Sequence, residues 1–501
     1  MLLGLFDIPK AQSHSLYPCR CYHGPVKRVL LAVLVLSVCA AGVYGYAATR
    51  RERTYRQLIN RGDAALAKDD TFSAIESFSG AIALKDNSIL GYLKRGEAYR
   101  RRHQLDSAMR DPRQVAALDP AADAAMRDLR RASELDPLAP RPLELLGDVN
   151  YSLSRFDRAA ERYQAYTKVD DRSPRVLYKL ALAHYSAGRF APAVAALLQA
   201  VAIHDRFAEA YYLLGLCFRD LQQPAASLRA LETSIRTAPA MVHAREELAD
   251  LYGRLGRVDD RILQLDVLFA LDPQASRQVA LGLAYARAGQ FDRAVTTLGS
   301  AAERHPDYSY TYVALGRVWL EKAHSRPDRV DLNKALEALQ VAVGDADSSE
   351  ALMLFGRALL LAQDEKLAER VLQQATEKLP ADPLAFYYLA DAAERRGHSD
   401  VARRALLDYS ALQRDHPDAQ RRAALAVRIA DLSMKLGDGP TATTWYQHAV
   451  EADGADAPLL VRLAEAQIRS GATDAARASV LKALEKDPAN RSALALQVRL
   501  K

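Results

Sequence analysis

One pattern returns along almost the whole chain: a small residue, an aromatic three positions on, Ala twelve on, and Pro or Asp twenty-four on. Gly282, Tyr285, Ala294 and Pro306 set it out, and Gly96, Tyr99, Ala108 and Pro120 repeat it. The same spacing accepts Gly62, Gly147, Ala181, Gly215, Ala249, Gly316, Gly356, Ala390, Ala430 and Ala464 as the small residue, giving twelve units between about Tyr55 and Asn490. A repeat of this length has no single central core. Each unit hides its apolar face only against the next, so the units must stack.

Each unit reads as two short helices. The first sets large residues around the small one, as in Tyr211, Leu214, Gly215 and Phe218, and a turn follows, often with Gly, as at Gly188, Gly256, Gly289, Gly397, Gly437 and Gly471. The second has apolar residues at helical spacing, as in Ala476, Val480 and Ala483, and Pro closes many units (Pro120, Pro239, Pro273, Pro306, Pro380, Pro488) by stopping the helix before it. The small residue has a steric purpose: it lets the two helices of a hairpin approach closely. Ala, Leu and Arg dominate and strand-like runs of Val, Ile and Thr are missing, which predicts an all-α chain.

Twelve such units resemble the tetratricopeptide repeat family. The resemblance implies a right-handed superhelical solenoid whose concave face, lined by the first helices, holds peptides or partner proteins. The family's clamp for a chaperone's C-terminal carboxylates needs Lys and Asn at the fifth and ninth places of a unit. Those places here read Ile59/Asp63, Leu93/Glu97, Glu144/Asp148, Tyr178/Leu182 and Tyr212/Leu216, so the carboxylate clamp is absent.

Two units depart from the pattern. The eighth has about seven extra residues, which predicts a long loop near 322–331. In the second, SAMRDPRQVAALDP at 107–120 and AAMRDLRRASELDP at 124–137 are near-copies 17 residues apart, which predicts a duplicated, supernumerary helix within 107–137 between the second and third hairpins. Pro112 stands where the second copy has Leu129, and an interior Pro weakens a helix by about 3 kcal/mol. A capping helix is expected at 491–501.

Ahead of the array, residues 29–48 are twenty positions without a charge, long enough as a helix to cross a bilayer's hydrocarbon core. Lys27 and Arg28 precede them, Arg50, Arg51 and Arg53 follow, and Tyr44 and Tyr46 lie near the second boundary. The reading is a single uncleaved transmembrane helix at 29–48, after a disordered tail at 1–28 and before a basic linker at 49–54. A cleaved signal ending near Gly45-Tyr46-Ala47 and a lipidated Cys39 are its rivals. A strict count of flanking cations leaves the array in the cytoplasm, whereas a start at Val26 gives the layout of a signal-anchor that exports it; export to the periplasm is the reading taken, with the cytoplasmic side open.

The net charge is +6; residues 1–48 carry +3 of it (Lys10, Arg20, Lys27 and Arg28 against Asp7), leaving +3 for the array. That is no footprint for nucleic acid. Cys19, Cys21 and His23 make a poor metal site, and no His-Glu-x-x-His, Gly-x-Ser-x-Gly or phosphate loop occurs, so neither metal, cofactor nor catalysis is expected. Acids recur after the small residue, and Glu97–Arg101, Asp250–Arg254, Asp391–Arg395, Asp431–Lys435 and Glu465–Arg469 are spaced for pairing along one helix, worth about 0.2–0.5 kcal/mol each.

The middle of the expected concave face is richest in anchors. Tyr151, Tyr178, Leu182, Tyr185, Tyr212 and Leu216 project from three adjacent first helices, with Arg175 and Arg219 beside them. They are either groove anchors or packing between hairpins. The function expected is a non-enzymatic, membrane-tethered scaffold that holds a partner protein or peptide. A chaperone-like holder of unfolded chains in envelope assembly or secretion, and an accessory arm of a glycosyl-transfer system, are the alternatives.

Overall fold

The structure, a computed structural model, describes residues 24–108, 119–325, 328–345, 348–413, 418–454 and 456–501. Among these residues every regular element is an α-helix, twenty-five in all. Contacts divide the chain into two units, Met1–Thr237 and Ala238–Lys501. The first holds five hairpins: α1 (Gly24–Leu66) with α2 (Thr71–Leu84), α3 (Ile89–Ala108) with α4 (Pro120–Leu135), α5 (Pro140–Ser152) with α6 (Phe156–Thr167), α7 (Pro174–Ser186) with α8 (Phe190–Ile203), and α9 (Ala208–Asp220) with α10 (Pro224–Thr237).

The second unit holds seven more: α11 (Val242–Arg254) with α12 (Val258–Leu271), α13 (Ala275–Arg287) with α14 (Phe291–Arg304), α15 (Tyr310–Ser325) with α16 (Arg329–Asp345), α17 (Ser349–Leu361) with α18 (Glu365–Glu377), α19 (Pro383–Arg395) with α20 (Ser399–Leu412), α21 (Ala419–Lys435) with α22 (Gly439–Asp453), and α23 (Ala457–Arg469) with α24 (Thr473–Lys486). A last helix, α25 (Arg491–Arg499), lays Ala493 and Leu496 on α24.

The small residue is where each hairpin closes. A Cβ on Gly215 or Gly282 would come within 2.6 Å of Leu231 or Leu298 on the facing helix, and one on Gly147 would meet the Tyr163 ring closer still. The Ala twelve positions on (Ala159, Ala193, Ala294, Ala368, Ala402, Ala442, Ala476) is fully buried in each case. In the fifth hairpin Ser227 takes that place, and its hydroxyl donates to the Gly215 carbonyl at 2.8 Å.

Three features differ from expectation. In the second hairpin the residue under Gly96 is Leu129 of α4, with a Cβ distance of 2.8 Å. The second of the two near-copies therefore supplies the closing helix, and Pro120 starts it instead of ending one. Most of the first copy, with Pro112, lies outside the described residues, so the supernumerary helix has no structural account here. In the eighth hairpin the extra residues lengthen α15 to Ser325 and begin α16 at Arg329, so the connection is short. The stretch 49–54 is no separate linker: α1 runs through it without a break, and its apolar part is long enough to cross a membrane.

The charges also pair differently. Instead of bonding within one helix, the acids reach forward to the next hairpin: Asp63 to Lys94 at 2.9 Å, Asp148 to Lys179 at 2.7 Å, Asp431 to Arg462 at 3.1 Å, Glu97 to Arg141 at 3.6 Å, and Asp391 to Arg428. The bases expected to pair with those acids reach backward. Arg101, Arg395 and Arg469 donate to the carbonyls of Leu66, Leu360 and Met434 at 3.0, 3.1 and 2.9 Å, each in the last turn of the preceding hairpin's first helix. Each of those carbonyls also accepts a turn amide, from Asp69, Gln363 and Gly437 respectively, and carries the negative end of its helix's dipole, so the guanidinium adds a second, charge-favoured bond along the stack.

The turn inside a hairpin needs one left-handed residue. Gly188, Gly289 and Gly471 supply it with φ of 72°, 72° and 82°, but Ser154, Gln222 and Gln363 take it at 56°, 57° and 63°. A side chain there costs roughly 1–2 kcal/mol, part of which the lower backbone entropy of a non-Gly residue offsets. Gln222→Gly should therefore raise the urea midpoint, by about 0.5–1 kcal/mol of stability, and Gly188→Ala should lower it by about 1 kcal/mol.

Candidate functional site

The stripes of the first helices in hairpins three to five carry the candidate residues. Glu144, Asp148 and Tyr151 lie at helical spacing on α5, Arg175, Tyr178, Leu182 and Tyr185 on α7, and Tyr212, Leu216 and Arg219 on α9. Residues three and four apart share a helix face, so each set forms one stripe.

The tyrosines are half-buried, neither free on the surface nor sealed in the core. Tyr151, Tyr178, Leu182, Tyr185 and Leu216 all pack on the apolar core of hairpins three to five. The Tyr151 and Tyr185 rings lie against Phe156 and Phe190, at the start of their own second helices, with centroids 5.3 and 5.6 Å apart. The Tyr178 ring lies 5.2 Å from Phe207, just before α9. Polar tips then tie stripe to stripe: the Tyr151 hydroxyl is 3.1 Å from the Ser186 hydroxyl, and Arg219 donates to the Tyr185 hydroxyl at 3.3 Å. Burial and the Asp220 carboxylate push the Tyr185 phenol up to about 12, and burial raises Tyr178 as well, so both stay neutral in any physiological medium.

Beside the tyrosines stands a compact ionic cluster. The Glu144 side chain is only 1% exposed, yet three cations converge on it: Arg141 at 2.6 Å, Lys179 at 2.7 Å, and Arg175, which binds both carboxylate oxygens. Lys179 also holds Asp148, which accepts a 2.8 Å bond from the Tyr163 hydroxyl. Burial alone would raise the Glu144 pKa, but hydrogen bonds and charge from Lys179 and Arg175 outweigh it and hold the carboxyl at about 2. Arg175, expected beside the tyrosines, is thus committed to Glu144, although 58% of its side chain stays exposed. The stripes thus present half-buried aromatic faces between fixed charges.

A Ser-His-Asp arrangement does occur. His103 places Nδ1 2.8 Å from Asp119 and Nε2 3.0 Å from the Ser152 hydroxyl. The imidazole is 1% exposed, and the Ser152 hydroxyl donates to the Val149 carbonyl at 2.9 Å. A nucleophile needs an accessible oxygen whose proton the imidazole takes. Here the three residues join α3, the cap of α4 and α5. Among the described residues no group of three or more His, Cys, Asp or Glu is arranged to hold a metal ion; Cys19, Cys21 and His23 lie outside them.

A further recess, not expected from sequence, lies in the second unit. Tyr409 stands nineteen positions after Ala390, where Ala81, Ala200, Ala301, Ala375, Ala449 and Ala483 follow their own small residues. Among α19, α20 and α21 lies a cleft of about 390 Å³ lined by Leu384, Tyr387, Tyr388, Tyr409, Arg421 and Arg428. The Tyr387 and Tyr409 rings are 5.4 Å apart, and Arg428 covers Tyr387 at 5.2 Å. The same place holds Tyr166, Ser234 and Leu268 in three other units, so the residue at 409 is by itself no signal of a cleft.

Stacked helical hairpins closed at a small residue define the class: a helical-repeat protein. The profile of the tetratricopeptide repeat matches residues 120–175, 144–205, 178–223, 212–276 and 279–351. The chain belongs to the tetratricopeptide repeat family. No curated protein matches the sequence. Similar solved structures include MamA (19% identity over 37% of this chain and 92% of that one, TM-score 0.32). YrrB, a TPR protein with an unusual peptide-binding site, has 17% identity over 41% of this chain and 96% of its own, with a TM-score of 0.33. The hetero-tetramer Cut9–Hcn1 of the APC/C has 14% identity over 89% of this chain and 96% of that chain, with a TM-score of 0.34.

The low Glu144 pKa makes a pH prediction. A carboxyl depressed in the folded state stabilises it above the unfolded pKa, and that contribution is lost as pH falls through the folded value. The joint between hairpins three and four should therefore weaken between the model-peptide value of 4.5 and about 2. Hydrogen exchange across residues 141–185 should rise in that window, and Glu144→Gln, which keeps the shape but not the charge, should cost about 2 kcal/mol at neutral pH and abolish the acid dependence.

Proposed function

We propose that this chain is a membrane-tethered scaffold: the apolar part of α1 anchors it, and the first-helix stripes of hairpins three to five hold a segment of a partner protein. Family membership supports a protein-interaction role. The single observation that carries the site is the row of half-buried Tyr178, Leu182, Tyr185, Tyr212 and Leu216 next to ionic groups already committed to each other. Rigid aromatics bound to the core lose little rotamer freedom when a partner covers them, and paired charges raise no desolvation penalty of the size that a lone buried ion would. The partner segment should be extended, with apolar or aromatic side chains for the Tyr/Leu stripe and hydrogen-bond acceptors for the Tyr tips. The array stands on the exported side of the membrane in this reading, and the anchor is retained.

Crosslinking in native membranes, followed by mass spectrometry, tests the site. Tyr178→Ala with Tyr212→Ala should reduce capture of a reproducible partner at least about tenfold, a loss near 1.4 kcal/mol, while helicity stays near wild type. Tyr409→Ala, in the other unit, should leave that capture intact. Equal capture by the double variant would remove the groove. Protease added outside intact cells or spheroplasts reports the side: digestion of the array supports export, and protection with digestion only after lysis supports the cytoplasmic side.

A further inference from the structure

The first hairpin is built onto the anchor helix itself. Between the apolar run and Gly62 the chain has no Gly or Pro after Gly45, and α1 is one helix from Gly24 to Leu66. Its far half is also the first helix of the array: Tyr55, Ile59 and Leu66 are buried against α2, and Phe78 fills the space above Gly62. There is no joint at which the array could swing.

That continuity sets heights. With a rise of about 1.5 Å per residue, Glu52 lies roughly 6 Å and Tyr55 roughly 10 Å beyond Ala48, the last residue of the apolar run. The polar layer on each side of the hydrocarbon core is about 5–8 Å thick. Lys85, at the end of α2, is ion-paired with Glu52, and its ammonium lies 4.4 Å from the Tyr55 ring centroid. The Tyr55 hydroxyl is 2.6 Å from the Ser88 hydroxyl, which in turn accepts the Gly91 amide at 2.9 Å. Lys85 is thereby held at the level of the lipid headgroups, and Ser88, 33 residues from Tyr55 in sequence, just above them. Lys94, one and a half turns into α3, pairs with Asp63, so α3 climbs away from the bilayer alongside α1.

The charge at this level is positive. Arg50, Arg51, Arg53, Arg56 and Lys85 face Glu52 and Asp86, five against two, for a net +3. Glu52 is taken by Arg56 and Lys85, whereas Arg50, Arg51 and Arg53 are exposed on α1. We infer that the basic collar of α1 and the α2–α3 turn carrying Lys85 form a docking site for anionic phospholipid headgroups, so that the first hairpin is seated on the bilayer surface. This rests on the anchor reading proposed above. Lipid anions near a basic surface attract it within a Debye length, and salt weakens the attraction.

The test uses the full chain in nanodiscs of phosphatidylcholine, with and without phosphatidylglycerol, read by hydrogen exchange over residues 84–92. Exchange there should slow several-fold in the anionic discs, the slowing should fade in high salt, and residues 224–237 should not change. Arg50→Gln, Arg51→Gln and Arg53→Gln together remove no ion pair among the described residues and should abolish the lipid dependence. Equal exchange of 84–92 in both lipids, with the chain still held in the discs against high salt, would overturn the headgroup seat and leave the anchor standing. Release of the chain from both kinds of disc by high salt would overturn the anchor and the seat with it.

Discussion

The closeness of two helices at one residue governs this protein. At Gly147, Gly215 and Gly282 the facing side chain occupies the space that a Cβ would fill, and at the corresponding Ala181, Ala249, Ala390, Ala430 and Ala464 a single methyl is all that stands there. A large side chain there would force the pair apart and cost about 1–3 kcal/mol. Once the pair is closed, the Ala twelve residues on and the Leu or Tyr sixteen on are sealed, and the remaining apolar edge must find the next hairpin. Contact along the stack then draws in the polar groups. The forward-reaching acids and the backward-reaching arginines are consequences of that closure, each modest alone at about 0–1 kcal/mol when exposed.

Those same steric demands made most of the fold readable. Small residues at fixed intervals placed the first helix of all twelve hairpins, because sterics at one position act locally in the sequence. The polar pattern was harder. Glu97 and Arg101, or Asp391 and Arg395, are spaced for pairing along one helix, and that spacing is visible at a glance; the actual partners, Arg141 and the Leu66 carbonyl, or Arg428 and the Leu360 carbonyl, become neighbours only when hairpins stack. The eighth hairpin misled for a related reason. Ser325 and Arg329 extend helices that already exist, which needs fewer new constraints than an unsupported loop.

The candidate site was legible in its residues and illegible in its commitments. Tyr178, Leu182, Tyr185, Tyr212 and Leu216 follow from helical spacing on adjacent first helices. That Arg175 is bound to a buried Glu144, and that Tyr151, Tyr178 and Tyr185 lean on a phenylalanine of their own or the next hairpin, depends on distances no linear pattern encodes. Tyr409 shows another case: the same place holds Ala in six units but Tyr166, Ser234 and Leu268 in three others, so the residue there gives no sign of a cleft until the neighbouring rings are located.

The forward ion pairs have an implication for how such a chain changes length. Asp63–Lys94, Glu144–Arg175, Asp148–Lys179, Glu246–Arg277 and Asp431–Arg462 all join residues 31 positions apart, from one first helix to the next. At those four joints an acid on one first helix meets a base on the next, like tiles with matching edges. Excision or duplication of a whole tile there brings a fresh acid to a fresh base, and where the chain between two first helices is longer the pair survives across it, over 44 residues for Glu97–Arg141 and 37 for Asp391–Arg428. Stacking, not segment length, sets these contacts, and the near-duplicate strings around α4 lie in the longer of those two spans.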